Sequence, residues 1–154
     1  MGLAPTSALQ AVETDRRQGR PGHHTTGYEE LFMSSEDIRV VLVDDDIDTC
    51  ETLSSLLTFD GYSVRVARTA QDAITAVNEY QPVCALVDLG LPDFDGCELS
   101  KRLRAAHGSD LVLIAVTGRS GDDEHNEAMA AGVDHVLCKP LSQESLRRFF
   151  PPRT

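Results

Sequence analysis

The stretch Val83-Cys84-Ala85-Leu86-Val87-Asp88-Leu89-Gly90-Leu91-Pro92-Asp93-Phe94-Asp95-Gly96 decides how this chain is read. Its first half is an apolar run too short for a helix and rich in aliphatic and β-branched residues, which predicts a buried strand that stops at Asp88. A carboxylate there costs stability unless something pairs with it. It is well placed for chemistry, because the ligand crevice of an open α/β sheet lies beyond the carboxyl ends of its strands.

Working outward, the preceding strand is Ile38 to Val43, which ends abruptly in Asp44-Asp45-Asp46. Asp48 or Thr49 is expected to cap a helix with Leu53, Leu56, Leu57 and Phe59 on one face, closed by Asp60-Gly61. Val64 and Val66 mark a weaker, edge-like strand, and Thr69 opens a helix carrying Ala73, Ile74 and Val77 that Gln81-Pro82 stops. Beyond the opening stretch, a helix runs from about Asp95 through Leu99 and Leu103 to Ala106 and ends at His107-Gly108. Leu111 to Val116 is apolar on both faces, as a parallel strand covered on both sides should be, and it leads to Thr117-Gly118. Asp122-Asp123-Glu124 opens the fourth helix, where negative charge suits the helix dipole, and Ala131-Gly132 closes it. Val136 and Leu137 give a fifth strand ending at Lys139-Pro140, and Ser142 caps a last helix whose Leu146, Phe149 and Phe150 are expected to pack in the core. Five strands alternate with five helices. That pattern predicts an α/β fold, a doubly wound parallel sheet joined by right-handed crossovers.

At 154 residues the chain fits one domain, with residues 38–150 folded, 1–37 a disordered tail and 151–154 a short C-terminal tail. His23-His24 reads as solvated tail, since no carboxylate or cysteine stands at a ligand interval. With 14 Lys+Arg against 25 Asp+Glu the formal charge is −11, which argues against a grip on nucleic acid phosphates or an anionic membrane and favours cations or basic partners. No apolar run nears the roughly 20 residues of a membrane span, and residues 1–15 lack a signal-peptide core, so a cytoplasmic location is expected. Cys50, Cys84, Cys97 and Cys138 stand singly among apolar neighbours and are expected to be buried free thiols.

Four strands therefore end in Asp44-Asp45-Asp46, Asp88, Thr117 and Lys139. Two carboxylates about 4 Å apart at an effective dielectric near 20 repel by roughly 4 kcal/mol. A proton can neutralise them, but several oxygens converging without thiol or imidazole form the ligand set of a hard cation such as Mg2+. A lysine charge and a hydroxyl donor beside that set suit a transferred phosphoryl group, whose chemistry is mostly positioning and charge stabilisation. Asp88 is then the expected nucleophile, forming an aspartyl phosphate.

The motifs Val-Leu-Val-Asp-Asp-Asp, Val-Asp-Leu-Gly-Leu-Pro-Asp-Phe-Asp-Gly, Ala-Val-Thr-Gly and Cys-Lys-Pro resemble, in this order, the receiver domain of bacterial response regulators over about residues 38–150. The resemblance implies a flavodoxin-like sheet of order 2-1-3-4-5. It implies that Asp88 is the phosphoacceptor, that Asp44 and Asp45 hold Mg2+ directly or through water, and that Gly90 offers its backbone carbonyl to the metal. Thr117 takes the place of the switch hydroxyl and Lys139 that of the lysine that pairs with the phosphoryl group. The implied donor is a phosphohistidine on a sensor histidine kinase or a histidine phosphotransfer protein, and the output goes to a downstream protein the sequence does not name. The resemblance is to a phosphoacceptor, not to an enzyme turning over an external substrate. The chain is expected to lack a fused output domain, whether it stands alone, shuttles phosphate or comes from a hybrid kinase. Helix four, strand five and helix five form the expected output face.

Some positions depart from the family pattern. Val136 stands where an aromatic is common, with His135 beside it, and Gly90 has no side chain to touch an attacking water. Arg119 either reaches the site or points to solvent; Asp46 is either a loop or helix-start charge or a member of the metal shell. Two rivals remain. Asp46-Ile47-Asp48-Thr49 resembles the Asp-x-Asp-x-Thr signature of haloacid dehalogenase-like phosphatases, with Asp46 as nucleophile. The second is a degenerate receiver acting as a docking module.

Overall fold

Strand and helix alternate through the computed structural model, which describes residues 38–92, 94–118 and 121–153. The elements are β1 (Ile38–Val43), α1 (Ile47–Phe59), β2 (Tyr62–Ala67), α2 (Ala70–Tyr80), β3 (Cys84–Asp88), α3 (Gly96–His107), β4 (Val112–Thr117), α4 (Asp122–Ala130), β5 (His135–Cys138) and α5 (Gln143–Phe149). The strands form one parallel sheet in the order β2-β1-β3-β4-β5. This is the flavodoxin-like doubly wound arrangement. The expectations for residues 1–37, including His23-His24, and for Arg119 lie outside the described residues.

The central strands β3 and β4 are apolar up to their last residues, Asp88 and Thr117, because both of their faces are covered. Side chains alternate across the sheet. On one face Val40, Leu42, Leu86 and Ile114 pack with Leu53 and Leu57 of α1 and with Leu146, Phe149 and Phe150 at the end of the chain. On the other, Val41, Val43, Ala85, Val87 and Leu113 pack with Ala73 and Val77 of α2, Leu99 and Leu103 of α3 and Ala128 of α4. The last helix is thus core packing, as its apolar spacing predicts.

Local chemistry sets the boundaries. Thr69, Asp95 and Ser142 cap α2, α3 and α5 by accepting from Asp72 N, Cys97 N and Ser145 N. α1 departs from expectation: its cap is Asp46, whose carboxylate accepts from Thr49 N at 3.0 Å, so the helix begins before Asp48 and Thr49. Gly61, after the helix, sits at φ +103, in the left-handed region. β4 takes in Thr117 as its last residue, which fixes the hydroxyl to the sheet rather than to the loop.

All four cysteines are free, but only Cys50 and Cys84 are buried. Cys97 is half-exposed in the first turn of α3, and Cys138 is exposed where the edge strand β5 leaves the sheet, so apolar neighbours in sequence did not cover them. The residues after α5 are held: Tyr62 Oη donates to Pro151 O at 2.6 Å and Arg153 N to Asp60 O at 2.7 Å. Among the described residues no helix is long and apolar enough to cross a membrane.

Candidate functional site

The parallel register carries the ends of β1, β3, β4 and β5 to one edge. Val43 pairs with Val87, Asp88 with Val116 and Thr117 with Cys138, so Asp44, Asp88, Thr117 and Lys139 arrive together. Backbone bonds continue the ladder into the loops, from Leu89 N to Val116 O at 2.9 Å and from Lys139 N to Thr117 O at 2.8 Å. The sheet, not the loops, sets the positions of these groups.

One carboxylate oxygen from each of Asp44, Asp45 and Asp88 lies within 4.8 Å of the others. Asp44 and Asp88 are buried, at 3% and 6% exposure, whereas Asp45 is open to solvent. Burial of two carboxylates this close demands compensation. Part of it is visible: Asp46 N donates to Asp44 Oδ1 and Gly90 N to Asp88 Oδ1, each at 2.9 Å. The rest comes from Lys139, whose Nζ stands 3.3 Å from Asp44 Oδ2 and 3.3 Å from Asp88 Oδ2. Burial disfavours that ammonium, and Asp88 and Asp44 more than offset it, so its pKa lies above the ordinary 10.5. Lysine therefore stays charged at neutral pH.

Every ligand atom in the carboxylate group is a hard oxygen, the donor set that suits Mg2+ or another hard divalent cation. Three carboxylates against one lysine leave room for more positive charge. Thr117, buried at 6% exposure, and Gly90, whose N–H meets Asp88, line a cleft of about 530 Å³. At Gly90 it is the backbone N–H that faces Asp88.

Asp46 is not part of the carboxylate group. Its side chain accepts from Thr49 N at 3.0 Å and from Thr49 Oγ1 at 2.5 Å, and those two bonds, the side-chain one foremost, hold its pKa below the ordinary carboxylate value. Of its expected roles, the structure gives it the helix start. Val136 is half-buried and packs against the α2–α3–α4 side of the core, so no aromatic ring fills its place.

Two residues at the site carry no sign in the sequence. Cys50 donates its thiol proton to Asp44 O at 3.2 Å from the first turn of α1; burial, with the Asp44 carboxylate adding to it, pushes that thiol up to about 11 and keeps it protonated. Arg68, just past β2, donates to Asp45 O at 3.5 Å. Apolar spacing could not have found either, because both contacts reach a backbone carbonyl across a turn.

Comparison with known proteins agrees with this geometry. The response regulator receiver domain family matches residues 40–150. Response regulator MprA of Mycolicibacterium vanbaalenii is 34% identical over 109 residues, covering 71% of this chain and 47% of the relative. MprA of Mycobacterium tuberculosis matches with the same identity and coverage. The chain thus spans about half the length of these curated relatives. Among solved structures, a CheY-like receiver domain protein from Methanospirillum hungatei superposes with a TM-score of 0.68 at 29% identity, covering 72% of this chain and 88% of that one. A two-component response regulator from Clostridium difficile gives 0.68 at 26% identity, covering 71% and 89%. With its parallel sheet of order 2-1-3-4-5 and its acidic cluster at the strand ends, the chain belongs to the response regulator receiver domain family.

Proposed function

We propose that this receiver accepts a phosphoryl group on Asp88 from a phosphohistidine and passes the change to a protein partner. The observation that carries the reading is the meeting of Asp44, Asp45 and Asp88 within 4.8 Å, with Lys139 bridging Asp44 and Asp88. Members of the family act as phosphoacceptors and switches rather than on external substrates, and typically partner with histidine kinases or histidine phosphotransfer proteins.

In this reading Mg2+, when bound by Asp44, Asp45, Asp88 and the Gly90 carbonyl, supplies charge neutralisation for the phosphoryl oxygens. An Asp88 oxygen forms a bond to phosphorus as the phosphorus–nitrogen bond breaks, and the electron pair of that bond returns to the donor imidazole. Asp44, fixed at its backbone N–H by Ala67 O and at Oδ1 by Asp46 N, is positioned beforehand. Lys139 leaves its carboxylate partners to pair with a phosphoryl oxygen, and Thr117 donates its hydroxyl to another. A cytoplasmic location suits such a donor.

The test is incubation with acetyl phosphate and Mg2+. The expected product is one acid-stable, base-labile phosphate per chain, abolished in Asp88→Asn with the fold intact. Label that persists in Asp88→Asn, or steady hydrolysis of small phosphate esters, overturns the assignment. A chain that stays unlabelled with acetyl phosphate and with a kinase partner is a docking module instead.

A further inference from the structure

The bend between β1 and α1 carries two of the three clustered carboxylates, and its backbone is held from several sides. Asp44 N donates to Ala67 O, at the end of β2, at 3.1 Å, and Asp46 N donates to Asp44 Oδ1 at 2.9 Å. Arg68 Nη2 reaches Asp45 O at 3.5 Å. Asp44 is buried at 3% exposure, so its carbonyl needs a donor inside the protein. Cys50 Sγ supplies one at 3.2 Å.

Cys50 stands in the first turn of α1 at 4% exposure, and it holds the bend twice. Its backbone N–H donates to Asp46 O at 3.0 Å and its thiol donates to Asp44 O, so one residue ties the carbonyls on both sides of Asp45. The N–H bond belongs to the helix, and any residue but proline would make it. The thiol bond belongs to this side chain. Asp45 depends on such a hold. Its side chain is open to solvent, yet one of its oxygens lies within 4.8 Å of oxygens on both Asp44 and Asp88. An exposed carboxylate is not aimed by packing, so the backbone on which it stands must aim it.

We propose that Cys50 is a positioning residue of the cation site: its thiol fixes the Asp44–Asp45 peptide and so aims the Asp45 carboxylate into the cluster with Asp44 and Asp88. This role rests on the reading of that cluster as the Mg2+ site of phosphoryl transfer. Cys50 touches neither the cation nor the phosphoryl group, and acts through the peptide alone. Its bond is worth about tenfold in cation affinity, at the low end for a group that orients a metal ligand because a thiol is a weak donor.

Three substitutions separate the bond from the packing. Cys50→Ser keeps a donor, Cys50→Val fills the space without one, and Cys50→Ala has neither donor nor bulk. Serine and valine have similar helix propensities, so α1 itself is affected alike by both. Mg2+ is titrated calorimetrically into the whole chain. In the metal-free protein, NMR follows the amide nitrogen of Asp45, which belongs to the Asp44–Asp45 peptide. Cys50→Ser should bind Mg2+ as wild type does and keep the Asp45 signal near its place. Cys50→Val and Cys50→Ala should both bind about tenfold more weakly with that signal displaced, although their urea midpoints differ. Affinities that follow packing instead, with valine near wild type and alanine weak, overturn the role of the thiol. So does a serine variant as weak as the other two. In both of those outcomes wild type still binds Mg2+ and the phosphoryl reading stands. A wild type that binds no Mg2+ overturns the reading of the cluster, and the positioning role with it.

Discussion

The two edges of the sheet treat charge in opposite ways, and α3 runs between them. At the amino-terminal edge Arg104 reaches four acceptors: Gly132 O at 2.9 Å, Gly108 O at 2.5 Å, Leu111 O at 2.6 Å and Asp134 Oδ2 at 2.7 Å. Asp134 Oδ2 in turn accepts from Leu113 N at 2.9 Å, so the guanidinium and its carboxylate are both satisfied. At the carboxyl-terminal edge three carboxylates gather, and Lys139 bridges two of them, Asp44 and Asp88, at 3.3 Å each. One edge closes its electrostatics and stabilises the fold; the other leaves an excess of negative charge that a divalent cation can complete.

The effect that reaches both stability and chemistry comes where α3 touches the site. A methyl group on Gly96 would stand 2.5 Å from Leu89 Cα and 2.7 Å from Asp88 O, both backbone atoms that cannot rotate away. Alanine gains about 1 kcal/mol of helix propensity over glycine, but displacing the acceptor loop costs about 2–3 kcal/mol, so the clash decides the sign. Gly96→Ala should lower stability in urea unfolding and slow phosphorylation of Asp88. A variant as stable and as fast as wild type would mean that the loop yields, and that the site edge is softer than its backbone contacts imply.

Arg104→Ala and Lys139→Ala test the contrast directly. The first strands several carbonyls and one carboxylate, at a cost of about 2–3 kcal/mol that Mg2+ should not restore. Lysine at 104 should not rescue it, since one ammonium cannot span the fork of acceptors. Lys139→Ala should destabilise the metal-free protein by about 1–2 kcal/mol and then recover on adding Mg2+. It should also bind Mg2+ about tenfold more tightly, the size expected when about 1.4 kcal/mol of repulsion between cations is removed. Calorimetric titration reads both. Equal rescue of the two variants by Mg2+ would erase the distinction between the edges.

A smaller effect is expected at Asp46, which stands beside the cluster without joining it. Asp46→Ala removes the α1 cap and should lower the thermal midpoint, yet Asp88 should still be phosphorylated at a comparable rate. Loss of all phosphate incorporation in this variant would move the chemistry to Asp46 and revive the phosphatase reading.

How much of this was legible in the sequence follows from the range of the interactions. Strand ends are local events. A run such as Leu111 to Val116 followed by Thr117 announces both the strand and what stands at its end, and the parallel register does the rest. Caps are local too, so Thr69 and Ser142 were readable; α1 was not, because Asp46, Asp48 and Thr49 all qualify by type and only the reach to Thr49 N selects Asp46. Arg104 with Asp134 and Asp60 with Arg147 leave no local trace, since the partners are 30 and 87 residues apart and sit on elements whose apolar faces are complete without them. The strap at Pro151 and Arg153 escaped for the same reason: a Pro-Pro-Arg-Thr ending reads as tail until Tyr62 and Asp60 are placed beside it.

The smallest effect concerns a weak point in the edge that is otherwise closed. His135, at the start of β5, packs its ring 5.0 Å from that of Phe149 and is half-buried. Burial pushes its pKa below the ordinary 6.5, and the neighbouring Asp134 only partly opposes this. The folded state therefore binds its proton less readily than the unfolded chain, so the stability held by neutral His135 is intact above 6.5 and is lost as pH falls below it. His135→Phe keeps the aromatic contact and removes the titration. Thermal midpoints measured from about pH 7.5 to about pH 5 should fall more steeply in wild type than in the variant, because the carboxylates titrate alike in both and cancel in the difference. Parallel curves would show that the ring takes its proton without leaving Phe149, and that Arg104 and Asp134 hold this edge closed at acid pH as well.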